Sequence, residues 1–189
     1  NEKVALEVAI GASFAGARAI CSMKHVGLNV AADPLFTASY TGVNGGLVIA
    51  VADDPGMHSS QNEQDSRFYA RASKLPMIEP SDSGESRDYV KKAFRISEDF
   101  DCPVIIRLST RISHSQSIVE PGEREDCALK EYKKDYSKYV MMPAMARKRH
   151  VQVEKRMAGL REFAESTGLS RIEWGSRNIG VITSGIACQ

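Results

Sequence analysis

The chain has 189 residues, 42% of them apolar and 26% charged, and its formal net charge at pH 7 is +1. This is the composition of an ordinary globular protein, and it gives no reason to expect nucleic acid or an acidic membrane surface as a partner. No apolar run approaches the ~20 residues of a membrane-spanning helix. The four cysteines are far apart and form no C-x-x-C pair, so we interpret them as free thiols in a reducing compartment and expect a cytoplasmic protein.

The chain opens with helical periodicity over residues 2–17, where small residues share one face and would let the helix lie close to a sheet. A short strand is predicted near 18–23. Residues 24–43 again have helical character, interrupted at Asp33-Pro34, where Asp33 is a plausible N-cap and the proline would occupy the first helical position.

An unbroken apolar run over 46–52 is typical of a strand covered on both faces. It ends in Asp53-Asp54-Pro55-Gly56, a strong turn signal. A polar helix over 60–75, a short strand near 76–79 and an amphipathic helix over 81–99 are predicted next.

Another buried strand is predicted over 103–108, and residues 120–138 have the dense mixed charge of a solvated connector. A long helix over 141–165 begins with the basic cluster 147–150, which we interpret as a solvated face. An apolar run at 179–183 predicts a last strand. The alternation of strands and helices predicts an α/β domain of three layers around a mostly parallel sheet.

Ligands of an open parallel sheet bind outside the carboxyl ends of its strands. This rule selects four polar places: Glu2, Ser22 to His25, Asp53 to Ser60, and Thr110 to His114. Each also has a purely structural interpretation. Glu2 would complement a helix dipole, the aspartates would form a turn, the histidines would lie at the surface, and Arg111 would pair with a carboxylate.

Several segments together resemble the 2-oxoacid:ferredoxin oxidoreductases, and in particular the alpha subunit of the indolepyruvate branch. The segment Asn1 to Ala17 resembles the glutamate-containing helix of the thiamine pyrimidine-binding domain in that family. The similar segments are Asn1 to Ala17, Met23 to Leu35, Val51 to Gln61, Glu63 to Asp65, Ala146 to His150 and Ile182 to Ile186.

The resemblance implies the pyrimidine-domain fold of thiamine diphosphate enzymes over residues 1–119, without its first strand and helix. Residues 120–178 would be a charged linker and long helix, and 179–189 would open a following domain. We therefore expect the chain to be a piece of a longer subunit.

The activity implied is anaerobic oxidative decarboxylation of arylpyruvates such as indole-3-pyruvate to aryl-acetyl-CoA, with electrons passing to ferredoxin. The implied cofactors are thiamine diphosphate with Mg²⁺, gripped mainly by another domain, and 4Fe-4S iron–sulfur clusters elsewhere in the protein. A beta subunit, ferredoxin and coenzyme A are the implied partners, within an oligomer that binds neither nucleic acid nor membrane. The isolated chain is expected to be inactive.

Glu2 matches the family glutamate that bonds N1′ of the cofactor's aminopyrimidine and thereby helps to activate the thiazolium ring. The resemblance makes Lys24, His25 and Asn29 candidates for contacts with the substrate carboxylate or the pyrimidine. Asp53, His58 and Arg111 are further candidates for substrate or cofactor binding. No metal ligand is assigned in this chain.

Two alternatives stay open at the level of sequence. One is a subunit of a non-oxidative thiamine-dependent 2-oxoacid decarboxylase, which a downstream iron–sulfur region would distinguish. The other is a non-catalytic assembly domain that uses Glu2 only as a charge at a helix start. Cofactor-dependent protection of residues 1–35 from hydrogen exchange would separate this from the catalytic hypotheses.

Overall fold

The computed structural model describes all 189 residues. The four strands are β1 (Ala19–Lys24), β2 (Leu47–Asp53), β3 (Met77–Ile78) and β4 (Val104–Ser109). The eight helices are α1 (Glu2–Phe14), α2 (His25–Val30), α3 (Ala32–Thr41), α4 (Ser66–Ser73), α5 (Ser83–Asp99), α6 (Thr110–His114), α7 (Tyr136–Tyr139) and α8 (Pro143–Ser166), and a 3₁₀ turn covers Gly185–Cys188. None of the helices combines the length and apolar character needed to span a membrane.

The strands form one sheet in the order β1-β2-β4-β3, and every neighbouring pair is parallel. Val48 pairs with Val104 and Ile49 with Ile105, so the two longest apolar runs form the centre of the sheet. The predicted parallel α/β architecture is therefore confirmed.

Alternate residues of the central strand supply two cores because successive side chains of a strand point to opposite faces. Leu47, Ile49 and Val51 pack into the larger core with residues of α1, α2, α3 and α4. Val48 packs on the other face with residues of α5, and Phe163 of α8 joins that cluster. The sheet is covered on both faces, which gives the predicted three layers.

The first helix brings the start of the chain to the ligand-binding edge of the sheet. A tight connection joins its end at Phe14 to the start of β1 at Ala19. Helix α1 has 13 residues and is about 20 Å long. Strand β1 has six residues and is about equally long. Glu2 therefore lies level with Lys24, where the strand ends.

Within the basic cluster of α8, Arg147, Lys148 and His150 are exposed as the composition predicts, but Arg149 packs against the domain. Arg149 donates through Nε to the carbonyl of Tyr40 at 2.6 Å and through a terminal nitrogen to Asp101 at 3.0 Å. Buried Arg156, about two turns further along the same face of the helix, donates to the carbonyl of Ser39 at 2.8 Å. Cations placed on the last carbonyls of α3 satisfy groups that a helix end leaves without partners. They also dock α8 on the domain.

Two helix boundaries differ from the sequence prediction. The helix predicted over 60–75 begins only at Ser66, because the Asp65 side chain caps it by accepting from Arg67 N at 3.0 Å. The residues before Asp65 form a loop instead. Asp33 is not an N-cap: α3 begins at Ala32, which leaves Asp33 in its first turn.

The strand predicted at 179–183 is not formed in the structure. Ile179, Val181 and Ile182 are exposed, and their backbone pairs with none of the four strands. An apolar run becomes a strand only when a neighbour takes up its backbone hydrogen bonds, and this segment pairs with no strand of the sheet. The assignment of 179–189 to a following domain stays a prediction, as do the other domain boundaries.

Candidate functional site

Polar residues gather at the carboxyl ends of β1, β2 and β4, which lie at one edge because the strands are parallel. Lys24 ends β1, Asp53 ends β2, and Ser109 ends β4. Three of the four predicted places, Ser22 to His25, Asp53 to Ser60 and Thr110 to His114, lie at these strand ends. The fourth, Glu2, reaches the same edge through α1. The structure thus collects all four predicted places on one side of the sheet.

Glu2 presents a carboxylate that nothing else in the chain engages. It is the first residue of α1, behind an Asn1 side chain that caps the helix by accepting from Val4 N at 3.3 Å. Its side chain is half-buried against α2, where Gly27 makes room for it. A Cβ atom on Gly27 would lie only 2.6 Å from Glu2 Cγ and 3.1 Å from Oε1. The carboxylate forms no hydrogen bond or ion pair, so it is free to bind a ligand.

Lys24 and His25 hold the loop after β2. Lys24 Nζ donates to the carbonyl of Ser59 at 2.7 Å, and the His25 ring nitrogen Nε2 lies 3.1 Å from the carbonyl of Asn62. His25 is fully buried, and its Nδ1 has no partner. Both side chains therefore act on the site indirectly, because they fix the loop over residues 59–62.

Asp54, one residue beyond the candidate aspartate, organises the same loop from inside. Its carboxylate accepts from Ser59 N at 2.8 Å, from the Thr110 hydroxyl at 2.8 Å and from the Ser60 hydroxyl. The Ser60 hydroxyl above all, then Ser59 N–H and the Thr110 hydroxyl, hold the pKa of Asp54 well below its usual range. The loop is thereby tied both to its own strand and to the start of α6.

The depressed pKa predicts an acid-sensitive loop. Since the ionised form is favoured in the folded state, Asp54 contributes stability fully above its unfolded pKa of about 3.9. That contribution is lost as the pH falls through the folded-state pKa. We expect the thermal midpoint of the chain to fall less steeply from pH 5 to pH 2 in Asp54→Asn than in the wild type. Equal slopes would show that the carboxylate bonds are not retained in solution.

Asp53 has both oxygens engaged within the chain. It accepts from Ser66 N at 3.1 Å and from the Ser66 hydroxyl, and Arg107 Nε donates to it at 2.6 Å. Arg107 also donates to Glu79 at 3.1 Å. This buried network joins the ends of β2, β3 and β4. It places Asp53 in the scaffold of the site, leaving no oxygen unengaged for a ligand.

The remaining candidates lie at the surface of this edge. His58 and Arg111 are exposed and line one cavity together with Thr110 and His114. Asn29 is exposed on α2 and makes no side-chain hydrogen bond. The structure therefore separates the candidates into the free carboxylate of Glu2, the loop supports Lys24 and His25, the scaffold residue Asp53, exposed Asn29, and the cavity residues His58 and Arg111.

Sequence reasoning missed Asp54, Arg107 and His114 as individual residues. Arg107 had a visible signal, because it is the one charged residue in its strand, and a buried charge requires a partner. Asp54 had none that separated it from Asp53, since two adjacent aspartates at the end of a strand are alike in the sequence.

Comparisons with known proteins agree with the motifs. The family model described as pyruvate flavodoxin/ferredoxin oxidoreductase, thiamine diphosphate-binding, matches residues 1–167. The chain is 45% identical over 189 residues to indolepyruvate oxidoreductase subunit IorA of Archaeoglobus fulgidus, and 46% identical over 188 residues to that of Methanothermobacter thermautotrophicus. These alignments cover 99% and 98% of this chain, respectively, but only 30% of each relative.

Among solved structures, a transketolase of Pichia stipitis aligns with a TM-score of 0.43 and 12% identity, over 87% of this chain and 28% of that one. The family match is the stronger finding, because it spans most of the chain and agrees with motifs spread from one end to the other. It confirms the resemblance that those motifs indicated. The chain belongs to the thiamine diphosphate-binding family of the pyruvate flavodoxin/ferredoxin oxidoreductases.

Proposed function

We propose that the chain is the aminopyrimidine-binding part of an enzyme that oxidatively decarboxylates arylpyruvates, among them indole-3-pyruvate, to aryl-acetyl-CoA. Electrons pass to ferredoxin. The observation that carries the proposal is the unpaired carboxylate of Glu2, placed at the ligand edge in a chain whose relatives are named indolepyruvate oxidoreductase. Those relatives are about three times as long as this chain, so activity and partners belong to the larger assembly.

The residues at this edge fit an aminopyrimidine. Such a ring needs a carboxyl group that can share a proton with N1′, and a carboxylate already bound inside the chain could not do so. The Glu2 carboxylate has no partner and is half-buried, whereas the Asp53 carboxylate already accepts hydrogen bonds from Arg107 and Ser66. Among the carboxylates at this edge, Glu2 therefore meets the requirement.

Thiamine diphosphate, when bound, supplies a nucleophilic carbon and an electron sink. This chain supplies the acid–base partner. Glu2 would share a proton with N1′. The absence of a side chain at Gly27 leaves the room that Glu2 needs to take this position. Lys24 and His25 keep the loop from 59 to 62 fixed beneath the site. Positioned proton transfer of this kind typically contributes about 10²–10⁴-fold to a rate.

The rest of the machinery is proposed to lie elsewhere in the assembly. We assign Mg²⁺ and the grip on the diphosphate mainly to another domain, and the 4Fe-4S clusters to the remaining length of the subunit. The beta subunit, ferredoxin and coenzyme A are the proposed partners in a cytoplasmic oligomer. The isolated chain is expected to bind thiamine diphosphate poorly and to be inactive.

The test is a substrate assay on the complete subunit assembled with its partner. We expect reduction of ferredoxin that requires both indole-3-pyruvate and coenzyme A. Release of aldehyde and carbon dioxide without reduction would favour the non-oxidative decarboxylase. Absence of thiamine diphosphate from an assembled, folded complex would favour the non-catalytic assembly domain.

A substitution beside Glu2 probes the same site without removing the carboxylate. Gly27→Ala would add a methyl group 2.6 Å from Glu2 Cγ, so the side chain must move. A misplacement of about 1 Å can cost about 10²-fold in turnover, and we expect a loss of that order in the assembled enzyme. The control is Gly11→Ala in α1, where an added methyl meets nothing within 4 Å. Equal turnover in the two variants would contradict this role of Gly27.

A further inference from the structure

The cavity lined by His58, Thr110, Arg111 and His114 opens between the carboxyl ends of β2 and β4. Its volume is about 440 Å³, and His58, Arg111 and His114 line it above Ser109 and Thr110. Sites for small ligands typically measure about 300–1,000 Å³. The cavity is separate from Glu2, which packs against α2 on the far side of β2.

The lining is basic and has no counter-ion. None of its seven residues is acidic. The guanidinium of Arg111 and the imidazoles of His58 and His114 form no hydrogen bond or ion pair within the chain. Arg107, only four residues earlier, is bound by both Asp53 and Glu79. The chain therefore neutralises the arginine inside the sheet and leaves the one in the cavity unpaired.

The nearest carboxylate does not compensate for these donors. Asp54 is buried, and its oxygens accept from Ser59, Ser60 and Thr110 inside the loop. The same bonds hold the cavity together, since Asp54 also accepts from the backbone N–H of His58 at 3.2 Å. Arg111 and His114 lie three residues apart on α6, a spacing that puts side chains on one helical face.

We propose that this cavity is an oxyanion-binding subsite. Arginine presents a planar fork of donors that matches the two oxygens of a carboxylate or phosphate, and the imidazoles add further N–H donors. The source of the oxyanion rests on the proposed function, which offers the carboxylate of the 2-oxoacid and the phosphates of coenzyme A. The existence of the subsite does not depend on turnover.

Chemical modification tests the subsite directly on the assembled protein. Phenylglyoxal labels accessible arginines, and mass spectrometry follows Arg111 beside Arg161, an exposed arginine of α8 that forms no ion pair. We expect inorganic phosphate to slow labelling of Arg111 several-fold and to leave Arg161 unchanged. Indole-3-pyruvate or coenzyme A, added in its place, should protect Arg111 and so identify the source. Labelling of Arg111 that is insensitive to all three would overturn the proposal.

Kinetics of matched variants provide the second arm. Arg111→Gln should raise the KM of one of the two substrates by about 10- to 100-fold, as expected from the loss of charge-assisted hydrogen bonds. Arg111→Lys should recover part of this loss, and Arg161→Gln should behave as wild type. A KM unchanged for both substrates would exclude the subsite. An assembly that never oxidises indole-3-pyruvate would refute the proposed function instead, and phosphate protection of Arg111 would still decide the subsite.

Discussion

Replacing Glu2 by Gln in the assembled enzyme is expected to lower turnover by about 10²–10⁴-fold, the usual contribution of a positioned acid–base partner. The amide keeps the size of the side chain and its contact with Gly27, but it cannot share a proton with N1′. Bound thiamine diphosphate should persist, because the proposed grip on the diphosphate lies in another domain. Steady-state rates and cofactor occupancy measure the two effects separately.

The matched control is Glu7→Gln, which makes the same chemical change on an exposed face of the same helix. It should leave turnover unchanged. If Glu2 served only as a charge at the start of α1, its loss would cost about 0.3–1 kcal/mol of stability and turnover would survive. Exchange of the C2 proton of bound thiamine diphosphate distinguishes the two roles. An exchange rate unchanged in Glu2→Gln would rule out Glu2 as the activating acid.

Replacing Arg107 by Leu is expected to destabilise the chain by about 3–5 kcal/mol, the cost of leaving a buried charge without its partner. The Asp53 side chain is 1% exposed and that of Arg107 13%, so the carboxylate lies where water has little access. Glu79 loses the same cation. Urea unfolding followed by circular dichroism would measure the change in the free energy of unfolding.

Arg124→Leu provides the control, because the Arg124–Asp126 pair is almost fully exposed at 90% and 87%. Exposed pairs contribute about 0–1 kcal/mol, so this variant should unfold near the wild-type midpoint. Adding Asp53→Asn to Arg107→Leu should restore part of the lost stability, since the unpaired carboxylate is then gone. A double variant no more stable than Arg107→Leu would mean that packing, and not the buried charge, causes the loss.

Two carboxylates at one edge of the sheet serve opposite purposes. Asp53 is neutralised by Arg107 and Ser66 and holds the ends of three strands together. Glu2 is left without a partner, and glycine keeps the space beside it open. One carboxylate is thus used to hold the strand ends together, and the other is left free to bind a ligand.

The sequence by itself determined the layers and the edge at which ligands bind. The apolar runs at 46–52 and 103–108 have the pattern of strands buried on both faces, a local property that survives in the fold as the centre of the sheet. The end-of-strand rule then located Glu2, Lys24, Asp53 and Arg111 on one side. The family motifs singled out Glu2 among them as the candidate acid.

Only the tertiary structure decided which of these groups are free. Arg107 reaches Asp53 across 54 residues of sequence, and Arg156 reaches Ser39 across 117. No local pattern reports such pairings, because they depend on which elements become neighbours. The same reason explains why Arg149 departs from the solvated face predicted at 147–150 and why no strand forms at 179–183. Whether a basic residue is solvated, and whether an apolar run forms a strand, depends on the elements that the fold places beside it.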